Sequence, residues 1–125
     1  MNVEPATGSG PVRRFRDPAY QPRNATLAGV RANIDRIDAA IVALMAERAM
    51  HVKDATRFKR DAYQVSAPAR QAEVFAKVRA LASGHNGGFE ALPDVVEAAY
   101  RALVAGFIAN EQRFVAQTDL IGDPP

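Results

Sequence analysis

The sequence predicts an all-α fold of three helices, the first of them very long, and three observations carry that expectation. From Asn24 to Ala62 the chain runs without a proline. Over this stretch Val30, Ile34, Ile37, Ile41, Leu44, Met45, Val52, Ala55 and Phe58 recur at three- and four-residue spacing, the mark of one amphipathic helix. Two later stretches, each opened by a proline, repeat that spacing, and no segment alternates as a strand would. There is no internal repeat.

The first helix can be capped by Asn24 or Thr26, and its seam lasts to Asp61. At 1.5 Å per residue that is a rod of roughly 54 Å. A compact domain of this size has a radius of gyration of only about 13 Å, so the far half of the rod is expected to pack on another chain. Val65-Ser66-Ala67-Pro68 breaks the pattern, with Ser66 as a candidate cap and Pro68 in the first turn of the second helix. Val74, Val78 and Leu81 form its face, flanked by Phe75 and Ala82. It ends at Ser83-Gly84, and Gly84 to Gly88 reads as a loop.

The third helix is expected from about Pro93 to Gln117, with Asp94 and Glu97 at the positive end of its dipole. Val96, Ala99, Tyr100, Leu103, Val104, Phe107 and Ile108 give it a broad apolar face. Gln112 falls in line with Val104 and Ile108. Gly106, which costs about 1 kcal/mol against alanine inside a helix, suggests a close helix approach. The domain proper is thus 24–118, preceded by an arm at 1–23 and followed by a frayed tail at 119–125. The arm holds four of the eight prolines and its apolar residues follow no period. It reads as an unstructured leader or as a strap over a partner or a site mouth.

Composition removes several function classes. The chain of 125 residues is 48 % hydrophobic, enough for a packed core, and has no cysteine, hence no disulfide framework, thiolate nucleophile or cysteine metal site. The first ten residues are polar, and nothing approaches the roughly 18 apolar residues of a membrane span. A soluble, cytoplasmic protein with no membrane partner is expected. The net charge of +2 lies in the arm, where Arg13, Arg14, Arg16 and Arg23 face Glu4 and Asp17. The remainder is neutral, so the usual footprint of a nucleic-acid binder is missing.

The usual catalytic inventory is nearly empty. Ser9, Ser66 and Ser83 have no histidine beside them in sequence, and two histidines make a poor metal set. His51 lies on the first-helix seam and reads as a hydrogen-bonded core residue more readily than as a base, and His85 as loop surface. What remains is a set of cations and amides. Arg48 and Lys59 are three helical turns apart on the same face, about 16 Å along the axis, within reach of one ligand if both lean inward. Arg70, four residues before Val74, points coreward on this reading, as does Gln112. Together they suit a small dianion held through bidentate arginine contacts, although structural ion pairing would account for Arg48 and Lys59 equally. Arg31 stands about 25 Å before Arg48 on the rod and turned about 100° away. It serves either an exposed pair with Asp35 or a site on another subunit.

Five motifs in order resemble the all-helical (AroQ-type) chorismate mutases and the related isochorismate-pyruvate lyases. They are Val30-Arg31 with Ile34-Asp35-Arg36-Ile37-Asp38, then Glu47-Arg48, Arg57-Phe58-Lys59, Ala67-Pro68-Ala69-Arg70-Gln71, and Ile108-Ala109-Asn110-Glu111-Gln112. The resemblance covers Leu27 to about Val115. It implies an intertwined homodimer in which the first helices cross and each site takes one arginine from the partner. By position, Arg48 and the partner chain's copy of Arg31 would hold the two substrate carboxylates, Lys59 and Gln112 would face the ether oxygen, and Arg70, Gln71 and Ile108 would line the ring side. It also implies a dicarboxylate substrate, chorismate or isochorismate, and no cofactor or metal.

One position departs from the mutase pattern, where a glutamate commonly follows the second-helix arginine to bind the ring hydroxyl. Gln71 stands there, able to hydrogen-bond, whereas the lyases carry an apolar residue, which favours the mutase. Arg57-Phe58-Lys59, Ala67-Pro68 and the Glu111-Gln112 ending look more like the lyase branch. A non-enzymatic reading, a helical dimer that binds or regulates and uses its basic arm on nucleic acid, predicts salt-dependent binding lost with residues 1–23. It leaves Arg48, Lys59 and Gln112 without a role.

Overall fold

A computed structural model describes residues 2–85 and 87–122. Helix α1 spans Leu27–Ala55, α2 Ala62–Ser66, α3 Pro68–Ser83 and α4 Leu92–Val115, with a 3₁₀ turn at Thr56–Phe58 after α1. No strand occurs among the described residues. The all-α architecture with a long first helix is therefore as expected, and the short α2 is an addition to it. Met1 of the arm, Asn86 of the loop and residues 123–125 of the tail lie outside the described residues.

The chain divides after Ala46 into two compact units. In the first, residues 3–26 form neither helix nor strand. The Asp17 carboxylate accepts from the Ala19 N–H, and the rings of Phe15 and Tyr20 lie 4.4 Å apart. Ala28 N–H donates to the Thr7 carbonyl, and Thr26 Oγ1 accepts from Gly29 N–H at 3.1 Å, the cap the sequence suggested. Beyond the cap the expected seam forms a helix but finds no cover: Ile34, Ile37, Ile41, Val42 and Leu44 are all exposed, Leu44 at 64 %.

In the second unit α4 packs chiefly on α3, and also on α2 and the 3₁₀ turn. Val65, Val78, Ala82 and Val104 form its buried apolar centre, and Thr56 and Glu111 are buried with them. The α3 face is thus turned slightly from expectation: Val78 and Ala82 are buried, and Leu81 is exposed. Outside this core Arg79 binds Asp94 and Glu97, and Arg101 binds Glu97 while lying 4.5 Å from the Phe75 ring centre, so charges clamp α3 to α4. The hydrogen bond from Arg101, joined by the charges of Arg101 and Arg79, holds the Glu97 carboxyl below its ordinary range, against a smaller opposing effect of desolvation.

Several local expectations are corrected. The helix does not reach Asp61 but stops at Ala55, because a capping arrangement begins the next one. Asp61 accepts from Gln64 N–H, and the Gln64 side chain accepts from Arg60 N–H. Ser66 caps nothing and ends α2; the N-cap position of α3 is Ala67, in the left-handed region at φ 43°. Gly106 marks no close approach, since a Cβ there would meet nothing within 4 Å. No described helix is long and apolar enough to cross a membrane.

Candidate active site

A cleft of about 290 Å³ lies within the second unit. Its walls are the last turns of α1, the segment from Lys59 to α2, the start of α3 and the C-terminal half of α4. Apolar side chains, among them Val65, Val74, Val104 and Ile108, form most of the surface. Polar groups enter at a few points, the usual make-up of a small-molecule site.

Arg48 comes from α1 and is half-buried. No described carboxylate pairs with it. Instead its guanidinium carbon lies 5.2 Å from the ring centre of Phe107 and 5.8 Å from that of Tyr100. Lys59 also faces the cleft, but by a different route from the one the sequence suggested. With α1 ended at Ala55, three turns of shared helix do not exist. The 3₁₀ turn and an extended residue at Lys59 (φ −122°, ψ 131°) bring the ammonium back. Its Nζ lies 2.9 Å from Glu111 Oε2, and the two side chains are only 22 % and 5 % exposed.

Glu111 stands on the cleft wall where Gln112 was expected. Gln112 is not on the cleft wall; its amide donates to the Ala62 carbonyl at 3.3 Å. Helix geometry explains the exchange. Seven residues bring Glu111 to within about 20° of the buried Val104, whereas eight carry Gln112 about 80° past it. A signal was therefore present in the spacing from Val104.

The other expected residues divide. Ile108 is on the wall and half-buried. Gln71 is there too, its Nε2 donating to the Ser66 carbonyl at 2.6 Å, which leaves Oε1 as the atom free to accept. Arg70 reaches the rim but does not point coreward; it is 61 % exposed and paired with Glu73 one turn on. His51 is exposed at the edge of the cleft, not buried in a core, and its side chain has no hydrogen-bond partner among the described residues. Arg31 lies in the first unit, exposed, with no ion pair to Asp35 among the described residues. No cluster of metal-ligating side chains occurs among the described residues.

The cleft thus sets cations and one carboxylate over an apolar floor, and no serine is hydrogen-bonded to a histidine among the described residues. Among curated proteins none matches the chain. The sequence pattern of the chorismate mutase type II family does match, over residues 30–112, which takes in α1 from its first turn, the whole cleft and α4 as far as Glu111 and Gln112. With more than half of its length covered, the chain belongs to the chorismate mutase type II family.

Proposed function

We propose that the protein is a chorismate mutase, converting chorismate to prephenate without a cofactor, and that it works as a homodimer. The observation that carries this reading is the presence, in one apolar cleft, of an arginine with no carboxylate partner among the described residues and a half-buried lysine held by Glu111. The rearrangement is a one-step pericyclic shift in which one C–O bond breaks as a C–C bond forms. It requires no nucleophile, which agrees with the residues present. Catalysis then consists of holding the folded conformer and placing donors where negative charge grows on the ether oxygen.

Four cleft residues have a place in that scheme. Arg48 takes one carboxylate through a bidentate contact. Lys59 faces the ether oxygen. Glu111 shares that position in place of Gln112 and orients the Lys59 ammonium, from which it accepts at 2.9 Å. Gln71, with its amide nitrogen engaged by Ser66, offers Oε1 to accept from the ring hydroxyl of the substrate. The second carboxylate needs another cation, and Arg31 of a partner chain is the candidate. The uncovered apolar row on α1 supports a dimer, since a run of exposed isoleucines and leucines on one helix is costly in water.

Isochorismate-pyruvate lyase is the second reading, on the motifs of Arg57-Phe58-Lys59 and Ala67-Pro68. Prephenate formation from chorismate, measured beside salicylate formation from isochorismate, separates the two. Prephenate alone is expected; salicylate as the main product replaces the mutase by the lyase, and inertness to both substrates removes the catalytic proposal.

A further inference from the structure

We infer that Tyr100 and Phe107 are positioning residues: two aromatic faces on α4 hold the Arg48 guanidinium ready for an anion without neutralising it. This rests on the anion-binding role proposed for Arg48. The two rings are seven residues apart on α4, so they stand on one stripe about 10 Å apart along the axis. The guanidinium carbon is 5.8 Å from one ring centre and 5.2 Å from the other.

The choice of support has a chemical consequence. An arginine fixed by aspartate or glutamate gives its N–H donors and its charge to that partner, and an incoming carboxylate must displace it. A ring face attracts the cation through its quadrupole and takes no in-plane donor. Arg48, with no described carboxylate partner, therefore keeps its in-plane fork for a carboxylate while losing rotamer freedom before binding. Lys59 shows the contrast within the same cleft, since its partner is Glu111 at 2.9 Å. Phe107 also belongs to the cleft wall and Tyr100 does not, so the effect of Tyr100 on a bound anion is expected to pass through Arg48.

The test is a cycle of Tyr100→Leu, Phe107→Leu and Tyr100→Phe, in the wild-type and Arg48→Ala backgrounds. For chorismate, Tyr100→Leu is expected to raise KM about tenfold with kcat lowered no more than about threefold, the signature of lost uniform binding. Tyr100→Phe, which keeps the ring, is expected to stay within about twofold of wild type. In the Arg48→Ala background Tyr100→Leu should cost less than about twofold in kcat/KM, because its effect passes through the missing side chain. An equal cost in both backgrounds overturns the inference.

A second measurement is independent of turnover and of any loss of stability in the Phe107 variant. The side-chain Nε–H resonance of Arg48 should be shifted upfield by the rings relative to that of Arg70, and should return toward it in Tyr100→Leu. Coincident Arg48 and Arg70 resonances in the folded wild type overturn the inference. A shifted Arg48 in a protein inert to chorismate and isochorismate supports the ring cradle and sinks the proposed activity instead.

Discussion

Arg48 and Lys59 occupy the same cleft yet respond differently to removal, because their surroundings differ. Arg48→Ala frees no buried carboxylate, so it is expected to lower turnover at least about a hundredfold with little change in melting temperature. Lys59→Ala leaves Glu111 buried and alone, at a cost of about 3 kcal/mol or more, so lost activity should come with a clear fall in melting temperature. Arg48 and Lys59 were legible as displaced cations on an apolar seam. Glu111 was not legible in the same way, because a row drawn every fourth residue from Val104 runs past the point where the helix turns away from it.

Among the elements, α4 carries the most information. Its glycine at 106 has open space where a Cβ would go, so Gly106→Ala is expected to stabilise by about 1 kcal/mol, raising the melting temperature by several degrees. A fall would mean that another chain packs on that turn. The clamp between α3 and α4 has its own pH signature. Glu97 has a folded-state pKa lowered below its unfolded value, so its contribution is present above the unfolded pKa and is lost as pH falls through the folded one. Melting curves should show that acid loss, and Glu97→Gln should remove part of it. Helix existence and period were readable here from proline and apolar spacing. Where α1 stops was not, although Asp61 and Gln64 stood in the sequence as a capping signature; an unbroken apolar period across Phe58 concealed it.

The whole molecule poses the question of what covers α1. A homodimer in which Arg31 completes the partner's site makes a quantitative prediction. Arg31→Ala and Arg48→Ala chains, each inactive alone, should regain about a quarter of wild-type activity when unfolded together and refolded as an equal mixture, since half the dimers then hold one intact site of two. No recovery, or a monomer by sedimentation equilibrium, would refute the shared site. The sequence by itself determined that this chain is helical, where its main apolar faces lie and which cations break them, because those properties are periodic and local. Tertiary structure alone decided that Lys59 returns to the cleft through a turn, that Glu111 rather than Gln112 meets it, and that Arg48 rests on rings rather than on a carboxylate. Each of these is a contact between side chains far apart in the chain, fixed by how helices end and rotate against one another, and no single-helix periodicity contains that information.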